Sequence, residues 1–426
     1  MVKPNSKISK RAWIIILLLF FLTGISNVEK AMLGYASVPI MDELGLSPSE
    51  WGLIGSSFYW LFAISAILGG TVADKIGTKR VITIMALLWA AVQFSTLFVY
   101  SLPVLLATRI ILGAAEGPAY PIAMTAASKW LPKEKTGTGL SLVSIGAPVG
   151  LAISAPICVF IIVQFGWRSA FLAAGITTMI WLVFWVLLGK DRPENKVENE
   201  ASIVSSTDST DSFLPYLFSK NYLIIMLAGF AAYWSMAVGM VWLPNYFVKV
   251  LGVGDAGLSL AVTLPGIMIT ISQLSFSIFS DRLYRKTGSM VQSRVYVMGP
   301  IVIGGGLCYS MGAMSNSTVM AVALLTLGLT LGSVILVIGP AMLVDIMLPQ
   351  HQGKAQGIFI AFASLGGICA PYITGSLVES GSSISSGFHN AFFVMALVLI
   401  VCGTLVWAGI RPQKIQAELQ PISDIK

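Results

Sequence analysis

The sequence predicts an all-α polytopic membrane protein, with twelve transmembrane helices arranged as two pseudo-symmetric six-helix bundles. Three observations predict it: the composition, the spacing of the apolar runs, and the way charge sorts among the loops. Of 426 residues, 56% are hydrophobic and only 11% charged, with a mean hydropathy of +0.84. A soluble domain carries about a quarter of its residues charged.

About 20 apolar residues cross a bilayer as a helix. Runs of that length fall near 13–38, 51–72, 81–100, 103–127, 138–163 and 169–189, then 222–247, 257–279, 294–314, 317–343, 354–378 and 387–410. Lys3, Lys7, Lys10 and Arg11 before the first run would suit a signal peptide. That run meets no small-residue cleavage pattern and continues past Glu29-Lys30, so it reads as a retained helix. Between the sixth and seventh runs lies KDRPENKVENEASIVSSTDSTDS, a polar stretch with linker composition. The expected organisation is a bundle at 1–189, a cytoplasmic linker at 190–220, a second bundle at 221–412 and a cytoplasmic tail at 413–426.

Basic residues test the topology. With the N-terminus inside, the inner segments collect Lys3, Lys7, Lys10, Arg11, Lys75, Lys79, Arg80, Lys129, Lys133, Lys135, Lys190, Arg192, Lys196, Lys220, Arg282, Arg285, Lys286, Arg294, Lys354, Arg411, Lys414 and Lys426. The outer loops keep Arg168 and Lys249. This asymmetry is what the positive-inside rule requires of a cell-membrane protein with both termini in the cytoplasm.

The same sorting accounts for the net charge of +7 without nucleic acid, since no basic patch or aromatic-interleaved stripe exists. Cys158, Cys308, Cys369 and Cys402 lie in apolar runs without CxxC spacing, which excludes a disulfide framework and a thiolate metal site. His351 and His389 sit at loop edges and receive no role. No motif joins a nucleophile to a base or a metal set, so neither an enzyme nor a cofactor is expected.

The two halves echo each other. GWRSAF at 166–171 returns as GFHNAF at 387–392, and TVADKIGTKR after the second span returns as IFSDRLYRKTG after the eighth, matching Asp74 to Asp281. A six-plus-six repeat predicts a site between the halves near the midplane. In the loop motif, Gly70 suits close helix packing and Asp74 can accept from N–H groups at a neighbouring helix start. Gly77 permits a tight turn before Lys79 and Arg80.

GGTVADKIGTKRV at 69–81 resembles the signature of the major facilitator superfamily, in which this turn is a cytoplasmic latch. RIILGAAEGPAYP (109–121), KWLPKEKTGTG (129–139) and VWLPNYF (241–247) together resemble its anion:cation symporter branch, which includes bacterial sugar-acid permeases and vertebrate vesicular glutamate and sialic acid transporters. The resemblance covers nearly the whole chain.

Four charges lie deep in the expected spans: Glu29, Lys30, Arg109 and Glu116. An ionised residue at mid-helix costs about 2.5–3.5 kcal/mol on insertion scales, so such charges pair or line a pathway. Adjacent helical residues point about 100° apart, so Glu29 and Lys30 do not neutralise each other. Arg109 and Glu116 share a face but are separated by roughly 10 Å along the axis. Depth favours an ion pair between Glu29 and Arg109, with Glu116 left deeper, where Lys30 or water answers it.

The resemblance adds roles. Related proteins carry Asp-Arg at the positions of Glu29-Lys30, and Arg and Glu at those of Arg109 and Glu116. It implies that Glu29 and Glu116 carry protons while Lys30 meets a substrate carboxylate, in proton-coupled uptake of a small organic anion by a monomer in the lipid bilayer.

Lysine in place of arginine replaces a bidentate fork with a point charge. Phe62 and Ala66 stand where sugar-acid permeases often have Tyr and Gln, and Ser364 where they often have Asn. Lost hydrogen-bonding capacity favours a smaller, less hydroxylated carboxylate than a hexonate. Further pocket candidates are Tyr59, Trp60, Tyr233, Trp234, Trp242, Asn245, Gln273 and Tyr372. An exporter exchanging a metabolite or drug for protons is the principal alternative, and a transporter-like sensor the second. Short tails and a short linker argue against the sensor.

Overall fold

The structure is a computed structural model that describes residues 9–131, 136–191, 217–347 and 351–411, the side chains of 136–138 aside. Most of the expected linker and the tail therefore lie outside the described residues. Among these residues, twelve helices are long and apolar enough to cross a membrane. The elements are α1 (Lys10–Tyr35), α2 (Ser37–Leu44), α3 (Pro48–Ile76), α4 (Thr78–Ser95), α5 (Leu102–Glu116), α6 (Ala119–Trp130), α7 (Thr136–Phe165) and α8 (Trp167–Leu188). They continue as α9 (Lys220–Val241), α10 (Leu243–Lys249), α11 (Asp255–Thr287), α12 (Tyr296–Ala313), α13 (Thr318–Gly332), α14 (Ile335–Ile346), α15 (Gln352–Ser380) and α16 (Ile384–Thr404).

Local chemistry sets many of these limits. The hydroxyls of Ser9, Ser219, Ser317 and Ser383 accept from backbone N–H groups of the first turns of α1, α9, α13 and α16, which have no partner within the helix. The fourth span breaks between α5 and α6 at Gly117-Pro118, where proline offers no N–H to continue the ladder. The tenth breaks at Ser333-Val334, and the first and seventh are each followed by a short helix, α2 and α10. The eighth span, expected at 257–279, runs on to Thr287 because its final turns, DRLYRKT, keep helical propensity until Gly288 adopts the left-handed conformation at φ 62°.

Chain contacts define two compact units, the first Met1–Leu44 with Ser57–Asp211, the second Gly45–Ser56 with Ser212–Lys426. The exchange of Gly45–Ser56 departs from a division at the linker alone.

In the first unit, α1 and α7 meet along glycine. A methyl on Gly24 would lie 3.1 Å from the Gly146 carbonyl, and Thr23 Oγ1 donates to the Val143 carbonyl at 2.7 Å. The α3–α5 seam is tighter still: a methyl on Gly113 or Gly117 would overlap the carbonyls of Phe58 or Phe62. Small residues four apart let two backbones touch, as in other membrane helix pairs.

Two corners close this unit. At one end, Arg168 Nη1 reaches both Glu43 oxygens at 2.6 and 2.9 Å, its Nη2 donates to the Val99 carbonyl, and Trp167 Nε1 donates to Glu43 Oε2. At the other, Asp191 accepts from Thr78 Oγ1 and the Lys79 backbone N–H, so this carboxylate caps α4. Gly77, at φ 89°, makes the expected turn and brings its Cα against Asp191. Lys79 Nζ donates to the Val186 carbonyl, and Arg80 is exposed. Two expectations change. Asp74 is exposed and makes no hydrogen bond or ion pair among the described residues. A methyl on Gly70 would meet open space, and Gly69 is the glycine that packs, against Pro118.

In the second unit, a methyl on Gly366 of α15 would overlap the Phe230 carbonyl of α9, and Tyr222 donates its hydroxyl to the Ala355 carbonyl. Gly45–Ser56 is held here by Trp51 Nε1 on the Val241 carbonyl and Ser56 Oγ on the Ile368 carbonyl. Glu379 accepts from Ser47 Oγ and the Ser49 N–H. Asp281, the counterpart of Asp74, accepts from Arg294 Nη1 at 2.6 Å, while Arg294 Nε reaches Asp345.

The Glu43 corner yields a pH prediction. Burial opposes the charge on Glu43, but donation from Trp167 and Arg168 outweighs it and holds the carboxyl below the usual range. A depressed folded-state pKa means the contribution is complete above the ordinary Glu range and is lost as pH falls through the lowered value. Glu43→Gln is expected to lower the melting temperature at neutral pH by the equivalent of about 1 kcal/mol or less. The gap from wild type should close in acid, and an equal gap at both pH values would contradict this role.

Candidate functional site

All four intramembrane charges belong to the first unit. Helix α1 splits its adjacent pair between two directions, as a turn of about 100° per residue requires. Glu29 turns toward α8, where Thr178 Oγ1 donates to its Oε1 at 2.7 Å. Lys30 turns toward α3 and α5, with its Nζ 3.0 Å from Glu116 Oε2. Ser26, one turn before Lys30 on α1, donates to the same oxygen at 2.8 Å.

The expected Glu29–Arg109 ion pair does not form. Position along a helix does not fix the direction a side chain takes around it. Arg109 instead lies with its guanidinium carbon 5.4 Å from the Phe171 ring, its Nε 3.4 Å from Thr108 Oγ1. The pair that does form is Lys30–Glu116.

Glu116 owes its place to the chain break. It is the last residue of α5, immediately before Gly117-Pro118. The same Gly113 and Gly117 that seat α5 on α3 bring Phe58 and Phe62 beside Lys30, at 5.9 and 5.5 Å from its Nζ to the ring centroids. Aromatic faces attract a cation through their quadrupole but offer no hydrogen bond.

Access distinguishes the four. Glu29 is 0% exposed, and Arg109 and Glu116 1% each, while the Lys30 side chain retains 16%. Lys30 is therefore the least buried charge of this set. Several buried atoms in the cluster lack a partner: Glu29 Oε2, Glu116 Oε1, Arg109 Nη2 and both amide atoms of Gln93. Buried polar groups left unmatched are costly, so this cluster is an expensive way to hold helices together.

The remaining candidates divide. Phe62 joins the Lys30 cradle, while Tyr59 is buried beside it in edge contact with Phe58. Trp60 is 40% exposed. In the second unit, Trp242 is fully buried, donates Nε1 to the Pro371 carbonyl and packs on Phe388, which makes it a packing residue. Ser364 is also sealed, its hydroxyl turned back onto the Ala361 carbonyl. Gln273 donates to the Ser333 carbonyl, Asn245 and Trp234 are buried, Tyr233 is half-buried, and Tyr372 is exposed. Among the described residues, no group of three His, Cys, Asp or Glu could hold a metal ion.

Sequence reasoning missed Ser26, Phe58, Gln93 and Thr178. The signal for Ser26 was present, since it lies four residues before Lys30 on the same helical face. Thr178 and Gln93 are short polar interruptions in apolar spans, recognisable only once their neighbours are known.

Twelve spans in two units, with an ion pair buried among the helices of the first, are an architecture that suits a membrane transporter. The chain belongs to the Major Facilitator Superfamily, whose model matches residues 16–338 and 292–421. It is 27% identical to a probable sulfoacetate transporter of Cupriavidus necator over 91% of both chains. It is also 27% identical to a hexuronate transporter of Bacillus subtilis, over 93% of this chain and 94% of that one. In fold it matches the crystal structure of a D-xylose-proton symporter with a TM-score of 0.77 at 15% identity, covering 94% of this chain and 98% of the other.

Removing one partner of a buried ion pair strands the other, at a cost of about 3–5 kcal/mol. Lys30→Met is expected to destabilise the purified protein on that scale. The double variant Lys30→Met with Glu116→Leu should recover most of the loss in thermal melts. Additive losses would show that the two residues do not interact.

Proposed function

We propose that this protein imports a small organic anion together with protons by alternating access, with both termini in the cytoplasm. The observation that carries the reading is the Lys30–Glu116 pair: one partly exposed cation whose partner is a buried carboxylate. A substrate carboxylate or sulfonate presents the same chemistry as Glu116 and competes for the same ammonium.

The coupling follows from charge balance. When a substrate anion replaces Glu116 on Lys30, the Glu116 carboxylate is left buried and unpaired, a state that a proton neutralises. When the substrate leaves, Glu116 returns its proton to water and pairs with Lys30 again. Glu29 is the second carrier. Its Oε2 has no partner, and its Oε1 accepts from a neutral hydroxyl that is compatible with either protonation state. Arg109 remains the fixed positive charge of the cluster.

The lining speaks to substrate. Phe58 and Phe62 surround the cation with faces that form no hydrogen bonds, which suits an anion with few hydroxyl groups. The relatives' names, sulfoacetate and hexuronate, support an acidic substrate and span both a compact and a hydroxylated example. The aromatic cradle favours the compact class. The basic residues sorted to one side support the orientation.

Proteoliposomes separate coupling from binding. A panel of short carboxylates and sulfonates identifies a substrate by thermal stabilisation, which reaches about 2.7 kcal/mol at a hundredfold excess over Kd. Uptake of that substrate should rise with an inward proton gradient. Glu116→Gln should abolish the gradient response while retaining exchange of internal for external substrate. Undiminished gradient-driven uptake in Glu116→Gln contradicts the proton role, and gradient-driven efflux in place of uptake would mark an exporter.

A further inference from the structure

Serine and threonine inside a helix ordinarily turn their hydroxyls back onto the carbonyl three or four residues earlier. In the first unit Thr83, Thr108, Ser144 and Thr177 do so, toward the carbonyls of Lys79, Leu105, Leu140 and Ala173. Ser26 of α1 instead sends its hydroxyl to another helix, donating to Glu116 Oε2 at the end of α5 at 2.8 Å. Lys30 Nζ approaches the same oxygen at 3.0 Å from one turn further along α1. Two donors on one helical face therefore hold one carboxylate oxygen. Ser26 is buried, so bulk water does not compete for its proton.

The second unit keeps the serine without the acid. A methyl on Gly332, the last residue of α13, would come within 3.3 Å of Ser235 Oγ of α9, and that hydroxyl pairs with the Tyr309 hydroxyl at 3.1 Å. Each serine sits against the last residue of a helix that breaks in mid-span, and Ser26 is the one of the two that meets a charge.

A hydrogen bond to an ionised group is roughly twice as strong as one between neutral groups. While Glu116 is ionised, the Ser26 hydroxyl therefore stays on it. Once Glu116 is protonated the preference is lost, and the Leu22 or Thr23 carbonyl becomes an equal acceptor. The charged groups around Glu116 are Lys30 and Glu29 of α1 and Arg109 of its own helix. Helix α3 adds the titratable Tyr59, in edge contact with Phe58 and Phe62. The acids and bases of α3 and α4, Glu50, Asp74, Lys75, Lys79 and Arg80, lie within three residues of the helix ends.

We propose that Ser26 sets the affinity of this transporter for its anion by holding Glu116, the competitor, on Lys30. It is a positioning residue that stabilises the empty, ionised site over the loaded, protonated one. The proposal rests on the proton-coupled reading above. Loss of the hydroxyl then tightens anion binding, opposite to what lost packing does. The gain at neutral pH is about tenfold, the difference between a hydrogen bond to a charged group and one to a neutral group. In acid, where Glu116 of the empty protein already holds a proton, the gain disappears.

Calorimetric titration with acetate, propionate and methanesulfonate at neutral and acidic pH, in buffers of different ionisation enthalpy, reads affinity and proton uptake together. Ser26→Ala and the shape-conserving Ser26→Cys should bind about tenfold more tightly than wild type at neutral pH and equally in acid. Ser26→Thr, which keeps the hydroxyl, should match wild type. Equal or weaker binding by Ser26→Ala and Ser26→Cys, or a gap that persists in acid, overturns the role of Ser26 and leaves the coupling standing. Anion binding by wild type without proton uptake sinks the proton-coupled reading, and the Ser26 role with it. In the empty protein, the infrared carboxylate band of Glu116, assigned by its loss in Glu116→Gln, should shift in Ser26→Ala and return in Ser26→Thr. A band unmoved by Ser26→Ala overturns the inference whether or not any of the three anions binds.

Discussion

The contact between Lys30 and Glu116 organises the first unit. It requires a lysine in the last third of α1, a carboxylate at the end of α5, and two helices close enough to α1 to enclose both. Gly113 and Gly117 meet the last requirement by seating α5 on the backbone of α3. Pro118 meets the second by ending the helix at Glu116. The segment GAAEGP therefore sets both the packing and the chemistry, and a larger side chain at either glycine disturbs both together.

The pair is poorly suited to being a mere structural strut. A buried ion pair gains little over an apolar packing of the same volume, because desolvation offsets most of the attraction. Here the acid is sealed and the base is not, and the acid keeps one oxygen unmatched. Such an arrangement is stable enough to persist and open enough to be displaced by a competing anion. The second unit is different: its buried polar groups are largely hydroxyls and amides. Its prominent ionic cluster, Arg294 with Asp281 and Asp345, gathers where α11 and the tenth span come to their ends. Charge chemistry is thus concentrated in one half of a molecule whose halves share a common plan.

Much of the architecture was legible in the sequence because bilayer thickness imposes a length and the membrane excludes charge. Both constraints act on single segments, so the twelve spans could be read without knowing their neighbours. Relations between segments were harder. Glu29, Lys30, Arg109 and Glu116 stood out by burial cost alone, but choosing Arg109 as the partner of Glu29 needed the rotation of each helix, which depth does not supply. Gly70 and Gly69 illustrate the same limit: adjacent glycines in one motif differ entirely in what they touch. Asp191 was hidden for another reason. It sits in a polar segment that reads as linker, yet it caps α4.

The central claim is that an arriving anion and Glu116 compete for one ammonium, so that binding draws a proton into the protein. Proton exchange on substrate binding tests it directly, using a pH-indicator dye in weakly buffered solution with purified protein. Addition of a saturating, stabilising anion should turn the medium alkaline as Glu116 takes up a proton. Anion binding with no proton uptake at any pH would contradict the account.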